Sequence, residues 1–500
     1  MTDDPNRIPV IIGVGQINDR PDTLEDGLDS LGLMAAALRA AESDVGGPLL
    51  ADIQSLAIVD QISFRELGNL CLPLASAIGA TPAINYQSEA PHGDTPIRLL
   101  NEAANRIGAG EIQLAAVAGG EALRTAAHKQ AAMTADGKVP NLVRSSAARR
   151  DPGYAGRYGL MSPVDVYPLY ENAGRAAYGQ SLEEAQAESG TIWAQFSEVA
   201  EANAGAWIRK VVSIDEIVTP DAKNRPLAFP YSKLMVANSS VNQGAAFIVA
   251  SLAEARRREV PEDRIIYVGM GAAAKEDHDF LKRDRYDRSV SMNVALQRTM
   301  ALNQLTSSDL DFVELYSCFP CVPKMARRTL GWPLDKPATV FGGLTFGGGP
   351  IANYMSHAVV SMVEKLRNEG RFGFLFANGG YATDNHCIVL SNAKIEAASF
   401  PQDFNYQDEA DQARAAIPLL DKEYQGSATV ETFTVFYDRD GSAKSGVVVC
   451  KTETGERTLA LIDVSQNDML TFFTSGETEP VGTSGTVVFQ GGQRYWNRRS

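Results

Sequence analysis

The stretch RIPVIIGVGQ, residues 7–16, decides the fold because it returns later in the chain as RIIYVGMGAA, residues 264–273. Its Gly13-x-Gly15 pair maps onto Gly269-x-Gly271, at an offset of 256 residues (from 13 to 269). Self-similarity at a fixed offset is typical of a duplicated structural unit. The second copy therefore begins near the middle of the chain.

Two further segments repeat in the same order. DIQSLAIVDQIS, from Asp52, is echoed by DLDFVELYSCFP, from Asp309. AVAGGEA around Gly119 is echoed by FANGGYA around Gly379. Both offsets lie close to the first, so three ordered matches predict two copies of one unit. Each copy alternates apolar strands with amphipathic helices, which predicts an α/β fold with helices covering a largely parallel sheet.

One helix in each copy follows a glycine. Thr95-Pro96 is expected to begin a helix in the first copy, with Thr95 as N-cap and Gly108 as the stop. Gly349-Pro350 is expected to begin its counterpart, which ends near Gly370.

If these two helix starts meet, at Gly93 and Gly349, their free N–H groups and dipoles favour a developing negative charge. The alternative is that both glycines only permit close packing.

Two segments lie outside the repeat. Residues 121–235 are an insertion with a basic cluster and a tyrosine-rich helix over residues 167–178. In the tail, VETFTVFYDRDGSAKSGVVVC predicts a β-hairpin with an Asp-Gly turn, and TLALIDV and GTVVFQG predict further strands. The tail is therefore expected to be a small β-domain, a candidate five-stranded barrel, joined by a helix over DEADQARAAIPLLDKE.

Composition excludes several classes of protein. A net charge of -15 argues against a nucleic-acid partner, because phosphate binding needs clustered Lys and Arg. An apolar run of about 18 residues is missing, so no membrane span is expected. MTDDPNR does not resemble a secretory leader, and five scattered cysteines fit a reducing compartment. These features predict an acidic cytoplasmic protein.

Two segments of the insertion and its flank carry a family resemblance. SPVDVYPLYENAGRAAYG, from Ser162, and PYSKLMVANSSVNQGAAFIVAS, from Pro230, resemble the thiolase superfamily, specifically its sterol-carrier-protein-type thiolases and thiolase-like proteins of type 1. The resemblance covers residues 7–395. The tail from about residue 405 resembles the additional C-terminal β-domain of the type 1 proteins.

This resemblance implies a duplicated, five-layer thiolase fold of two βαβαβ-type halves, with a small barrel-like C-terminal domain. It implies an N-terminal half (1–120 and 236–260), an inserted loop domain (121–235), a C-terminal half (261–398) and an OB-like domain (402–500). It also implies acyl-CoA chemistry, with a CoA thioester as substrate or ligand and neither a further cofactor nor a metal. A homodimer or a protein partner is consistent with the family.

The chain departs from the family at each of four catalytic positions. Family chemistry needs a nucleophilic thiolate, a second cysteine, a histidine, and an Asn or His that holds an oxyanion water. Here those motifs are PHGDTP, LFANGGYA, GGLTFGGGP and YSCF, which place other residues at the key positions: Gly93 or Asp94, Phe376 or Ala377, Gly349, and Tyr316. Ordinary thiolase turnover is therefore not expected.

Tyr316 is the main catalytic candidate. Thiolase-fold lyases that cleave acyl-CoA esters by a retro-aldol route carry tyrosine in this motif, and the resemblance suggests that Tyr316 relays the proton of a β-hydroxyl. Tyr354 is its candidate partner. Packing phenols are the alternative for both.

Two histidines are further candidates. His92 precedes the Gly93 loop, and His357 could act as a base, although a solvent-exposed helix position is the simpler expectation for His357. Substrate binding is expected at the two glycine-led loops and the Asn-Gly-Gly segment, through Gly93, Asp94, Gly349, Asn378 and Gly380. Arg149 and Arg150 are candidate phosphate ligands, or part of a solvated basic face.

Two other motifs give weaker evidence for a functional site. Cys318-x-x-Cys321 has no second cysteine pair, so we expect two buried, inert thiols rather than a zinc or redox site. The alternative is that Cys318 acts as a substitute nucleophile. The two Gly-x-Gly pairs lack the rest of a dinucleotide fingerprint and fit structural turns better.

Three functions stay open from the sequence. The first is a thiolase-like acyl-CoA-handling enzyme, of the kind labelled acetyl-CoA acetyltransferase, that works without an acyl-cysteine. The second, a specific form of the first, is a retro-aldol acyl-CoA lyase that uses Tyr316. The third is a non-catalytic acyl-CoA binder or scaffold.

Overall fold

The computed structural model describes residues 4–133 and 153–499. The first copy of the repeat provides five strands and its own helices, and these elements are β1 (Pro9–Asn18), α1 (Ser30–Val45), β2 (Ser55–Ile58), α2 (Cys71–Ala77), β3 (Ile84–Gln87), α3 (Thr95–Ala109), β4 (Leu114–Glu121), α4 (Leu123–Ala132), β7 (Gln243–Ser251) and α9 (Leu252–Arg257).

The second copy follows the same order. Its elements are β8 (Ile266–Lys275), α10 (Val290–Leu302), β9 (Phe312–Leu315), α11 (Cys321–Leu330), α12 (Tyr354–Asn368), β10 (Phe372–Gly379) and β11 (Asp384–Ser391). Where the first copy has β3, the second copy has a segment that meets β9 through a hydrogen bond from the Leu315 N–H to the Ala338 carbonyl.

The strand order confirms the duplication. The sheet runs β3-β2-β4-β7-β1-β8-β11-β10-β9, so the two halves mirror each other about β1 and β8. These two strands pair at only two positions. Helices α3 and α12 contact each other and strands of both halves, whereas α1 packs on the first half and α10 on the second. The result is the expected five-layer arrangement of outer helices, one half of the sheet, central helices, the other half of the sheet and outer helices.

The repeated glycines lie inside strands, so the expectation of turns was wrong. A Cβ on Gly13 would lie 2.5 Å from the Ala41 carbonyl oxygen of α1, and one on Gly271 would lie 2.3 Å from Nδ2 of Asn101 of α3. Each glycine therefore lets a helix approach its strand closely. This packing role explains the repeat without a bound dinucleotide.

Both glycine-led helices differ from expectation at their ends. Helix α3 continues through Gly108, whose Cβ would lie 2.3 Å from Phe400, and ends before Gly110, which has φ 76°. Helix α12 begins at Tyr354 rather than at Gly349. Ala352 has φ 63°, a left-handed conformation that a continuous right-handed helix excludes.

The insertion adds helices and a short hairpin. The described elements are α5 (Gly153–Gly156), α6 (Pro163–Ala177), α7 (Leu182–Ala202), α8 (Ile214–Val218), β5 (Pro226–Ala228) and β6 (Tyr231–Ser232). Helix α6 is the expected tyrosine-rich helix. Arg144, Arg149 and Arg150 lie outside the described residues.

The tail is a closed five-stranded barrel. Its elements are α13 (Gln407–Ala413), β12 (Gly426–Tyr437), β13 (Ala443–Thr452), β14 (Arg457–Ile462), α14 (Asn467–Thr474), β15 (Ser484–Gln490) and β16 (Gln493–Arg498). The order β12-β13-β14-β16-β15 closes by a second pairing of β12. The predicted connecting helix is shorter than expected, because the chain becomes extended at Arg414, and Pro418 disfavours a helical conformation at Ile417.

Buried polar contacts fix the barrel to the rest of the molecule. Arg457 donates two hydrogen bonds to Glu431 within the barrel and others to the Leu281 and Arg283 carbonyls. Thr432 Oγ1 donates to the Leu169 carbonyl at 2.6 Å. Within residues 4–133 and 153–499, no helix has the length and apolar character needed to span a membrane.

Candidate active site

A cavity of about 970 Å³ opens where the two halves, the insertion and the barrel meet. The structure brings together five of the nine predicted site residues that it describes, because the cavity lining includes Gly93, Tyr316, Gly349, Asn378 and Gly380 but not Asp94. It lies within the range of ordinary ligand pockets. His92, Tyr354 and His357 are outside the lining.

Gly93 has no room for a side chain. A Cβ there would lie 2.2 Å from the Asn378 carbonyl oxygen and 2.7 Å from the Tyr316 hydroxyl. Its φ lies outside the left-handed range, so space rather than backbone conformation requires glycine. Tyr316 thus occupies the volume that a cysteine at position 93 would need.

A comparison of two glycines tests this steric account. Gly93→Ala is expected to lower the free energy of unfolding by about 1–3 kcal/mol, the usual cost of overpacking. Gly47→Ala is the matched control, because Gly47 is exposed and nothing lies within 4 Å of its Cβ position. Urea denaturation of both variants measures the difference. Equal stability of Gly93→Ala and the wild type would contradict the packing argument.

Tyr316 presents a neutral phenol to the cavity. It directly follows β9, and its N–H donates to the Phe376 carbonyl at 3.1 Å. Burial raises the pKa of Tyr316 well above its usual range, with smaller contributions from Cys318 and Asp94. Among the described residues, none forms a hydrogen bond with its hydroxyl. The phenol is therefore a proton donor available to a bound ligand.

Tyr354 lies behind Tyr316, with 5.7 Å between the ring centroids. Its hydroxyl donates to Glu314 Oε1 at 2.6 Å, and Thr339 Oγ1 also donates to this carboxyl group. Burial raises the pKa of Glu314 to about 7. The Tyr354 hydroxyl therefore belongs to a buried hydrogen-bond network, and the Tyr354 ring packs against the Tyr316 ring.

The glycine-led loops differ in what they offer an anion. The Gly349 N–H is taken, because it donates to the Asn238 carbonyl at 2.8 Å, and α12 begins five residues later. In the first copy, no acceptor for the Gly93 and Asp94 N–H groups lies among the described residues. Of the two helix starts expected to stabilise a negative charge, the start of α3 therefore has free N–H groups at Gly93 and Asp94, whereas the Gly349 N–H is already bonded.

Asp384 and Lys275 form an ionic cluster with His92 that sequence reasoning missed. Asp384 lies 3.3 Å from Nδ1 of His92 and 3.1 Å from Nζ of Lys275. Although burial opposes it, these two contacts lower the pKa of Asp384 to about 2. The hydrogen bond to Asp384 raises the pKa of His92, whereas burial and Asp384 raise that of Asp94 to about 6.

This cluster has the geometry of a cation site, with His92, Asp94 and Asp384 ligand atoms within 4.8 Å of one another. Lys275 already provides a positive charge to Asp384, and the register that pairs Asp384 with Lys275 across β11 and β8 places it there. That pairing follows from strand register, which the sequence alone does not fix. The cluster stands beside the cavity rather than in its lining.

His357 is buried, so its expected solvent exposure was wrong. Its ring stacks on Phe341 at 5.1 Å, and Nδ1 lies 2.9 Å from Oε1 of Gln16. Burial lowers the pKa of His357 to about 3, which keeps the ring neutral. The central position of α12 between the two halves of the sheet explains this burial.

Asn378 and Gly380 are anchored by the insertion. Tyr167 of α6 donates its hydroxyl hydrogen towards Asn378 Oδ1 at 3.0 Å and the Gly380 carbonyl at 3.1 Å. Asn378 Nδ2 donates to Asn385 at 2.9 Å. The Asn378 side chain therefore holds the Asn-Gly-Gly turn in place at the cavity.

The two cysteines of the Cys-x-x-Cys motif differ in environment. Cys318 lines the cavity and is half-buried, whereas Cys321 is buried at the start of α11. Burial raises the pKa of Cys318 to about 12 and that of Cys321 well above its usual value. Both groups are therefore protonated thiols near neutral pH, which disfavours nucleophilic attack by Cys318.

The cavity lining has a distinct charge pattern. Within residues 4–133 and 153–499, the lining contains four cationic residues and no Asp or Glu, and the cations are Lys223, Arg225, Lys233 and Arg439. None of the four has a carboxylate partner in the part of the chain that the structure describes. The sequence did not predict them, because it does not show that three basic residues of the insertion and Arg439 of the barrel line the same cavity.

Comparisons with known proteins agree with the observed fold. Residues 407–492 match the family described as thiolase-like protein type 1 additional C-terminal domain. The crystal structure of a monomeric SCP2-thiolase-like protein type 1 from Mycobacterium smegmatis is 28% identical, with a TM-score of 0.82 over 100% of both chains. No curated protein gave a significant match.

Two more distant structures share the fold of the duplicated body. An Ltp2-ChsH2(DUF35) aldolase is 18% identical, with a TM-score of 0.58 over 78% of this chain and 99% of its own. A human mitochondrial 3-ketoacyl-CoA thiolase in complex with CoA is 14% identical, with a TM-score of 0.57 over 78% and 98%. The strand order, the closed barrel and these matches together show a thiolase fold with an additional C-terminal β-domain, and the chain is similar to the SCP2-thiolase-like proteins of type 1.

Proposed function

We propose that the chain binds an acyl-CoA thioester in the 970 Å³ cavity and acts on it without an acyl-cysteine intermediate. The observation that carries this proposal is the lining itself. It combines four cations, no carboxylate, and a protonated phenol where thiolases need open space for a nucleophile. Phosphates favour such a cationic surface because Lys and Arg form charge-assisted hydrogen bonds with them.

The closed position at Gly93 supports the absence of covalent catalysis. A thiolate nucleophile needs a side chain and a lowered pKa. Gly93 has no room for the side chain, and the pKa of the Cys318 thiol is raised. A chain that binds acyl-CoA here is therefore expected to act without an acyl-enzyme at Gly93 or Cys318, and chemistry in which the acyl group stays attached to CoA meets this condition most simply.

One reaction of this kind is retro-aldol cleavage of a β-hydroxyacyl-CoA. Tyr316 favours it, since a phenol without a protein partner can exchange a proton with the β-oxygen or the enolate. The free N–H groups at the start of α3 would stabilise negative charge on the thioester oxygen. Aldolase activity is named for one protein of the same fold.

Binding measurements on the rim test the proposal. The wild type is expected to bind acetyl-CoA in isothermal titration calorimetry and to lack thiolysis of acetoacetyl-CoA. Lys223→Ala combined with Lys233→Ala is expected to weaken binding about tenfold, with a smaller effect at high salt. Lys210→Ala is the matched control, because Lys210 lies in the insertion, is exposed and is outside the lining.

Either of two results would overturn the proposal. One is a wild type that binds neither CoA nor acetyl-CoA, and the other is robust thiolysis of acetoacetyl-CoA. If binding is normal but no substrate is turned over, the chain is the non-catalytic binder that the sequence left open.

A further inference from the structure

The C-terminal barrel reaches the cavity through one turn. Residues 438–442 connect β12 and β13, and Arg439 within this turn lines the cavity. The turn is well formed, since the Gly441 N–H donates to the Asp438 carbonyl at 3.1 Å and Gly441 has φ 86°. The barrel thus contributes a cation to a site whose other lining residues belong to the rest of the chain.

The insertion holds this turn at the cavity. Strand β5 pairs with β12 at Ala228 and Phe436, and the Phe229 N–H donates to the Val435 carbonyl at 2.8 Å. Strand β5 is flanked by Arg225 and includes Leu227, both in the lining. Arg225 and Arg439, two of the four cations in the lining, are therefore both next to strands of one continuous sheet that joins the insertion to the barrel. We call the four cations Lys223, Arg225, Lys233 and Arg439 the cationic rim.

Arg439 differs from its neighbours on the same hairpin. Lys444 lies 3.5 Å from Asp438, and Lys451 lies 3.5 Å from Glu431. Arg439 is exposed and forms no such ion pair among the described residues. Arg439 is therefore a cation at the cavity that is free to pair with an anionic ligand.

We propose that the barrel is part of the ligand site, and that Arg439 binds a phosphate group at the nucleotide end of CoA. This inference rests on the proposed function and assigns a role to the additional domain. The cations of the insertion and Arg439 of the barrel would hold the phosphates at the mouth, while the thioester lies towards Gly93 and Tyr316. A guanidinium suits this task because it forms paired hydrogen bonds with phosphate oxygens.

A charge reversal on the hairpin tests the assignment. Arg439→Glu is expected to weaken CoA binding about tenfold in calorimetry at low salt, because a charge-assisted contact becomes a repulsive one. Lys444→Glu is the matched control: it makes the same charge change on the same hairpin outside the lining, and CoA binding should change less than about twofold. Pantetheine, which lacks the nucleotide and its phosphates, should bind Arg439→Glu and the wild type equally.

The possible outcomes separate this inference from the proposed function. If the wild type binds CoA and the Lys223/Lys233 variant binds it weakly, but Arg439→Glu binds it normally, the barrel has no part in the site and the proposed function stands. Equal losses for Arg439→Glu and Lys444→Glu would also reject a direct contact. Failure of the wild type to bind CoA overturns both proposals.

Discussion

Replacing Tyr316 by phenylalanine is expected to slow release of the shorter acyl-CoA from a β-hydroxyacyl-CoA by about 10²–10⁴-fold, the usual loss when a positioned proton-transfer group is removed. The ring stays, so the wall beside Gly93 stays filled. Affinity for CoA should change less than about twofold, since Tyr316 is not one of the cationic residues proposed to bind the phosphates. A stopped assay of the product thioester measures the rate.

The chemistry explains why the hydroxyl matters. In a retro-aldol reaction the β-hydroxyl loses its proton and the Cα–Cβ bond breaks. Its electron pair passes to the thioester enolate, and Cα then takes up a proton. Because burial keeps Tyr316 protonated, the phenol acts as a relay that receives the β-hydroxyl proton and gives its own proton to Cα, while the β-oxygen becomes the carbonyl oxygen of the released product. A phenylalanine cannot take part in either transfer.

Tyr286→Phe is the matched control for this variant. Tyr286 is also a buried phenol, and its hydroxyl donates to the Phe280 carbonyl at 3.0 Å outside the cavity lining. Its removal should lower stability slightly and leave turnover unchanged. Turnover by Tyr316→Phe at the wild-type rate would reject the lyase hypothesis. Absence of turnover by the wild type with every β-hydroxyacyl-CoA tested would reject it as well.

The duplication made the fold predictable from sequence. Repeated glycines pointed to two equivalent strands, and the structure explains the repeat by close helix approach at Gly13 and Gly271. Helix ends were less predictable. Gly108 resembles a helix stop, yet it lies inside the helix and allows close contact with Phe400. Ala352 breaks the helix expected from Gly349, because it adopts a left-handed conformation that the sequence does not indicate.

The site was predictable where it follows the repeat. Gly93, Tyr316 and Gly349 were nominated from motif positions and all line the cavity. Residues from outside the repeat were not predictable, because Arg439 and Lys233 come to line one cavity only in a fold in which β5 pairs with β12. The burial of His357 was not predictable either, because it depends on the position of α12 between the two halves of the sheet.

The largest effect on stability is expected at a buried ion pair beneath the cavity. Lys324 Nζ of α11 lies 2.5 Å from Glu171 Oε1 of α6, and both side chains are about 5% exposed or less. Lys324→Met is expected to lower the free energy of unfolding by about 3–5 kcal/mol, because it leaves a buried carboxylate without its cation. Lys210→Met removes an exposed pair and should cost about 1 kcal/mol or less.

The double variant distinguishes a stranded charge from lost packing. Glu171→Gln with Lys324→Met removes both charges and is expected to recover most of the loss, since the Tyr231 hydroxyl that bonds Glu171 at 2.9 Å can bond glutamine as well. No recovery in urea denaturation would mean that the Lys324 bond to the Ala185 carbonyl, at 2.8 Å, dominates. The pair also matters for the site. Helix α6 carries Tyr167, and α11 follows Cys318 and Phe319, and these three residues line the cavity. The ion pair between Lys324 and Glu171 joins α11 to α6 and so holds these lining residues in position relative to each other.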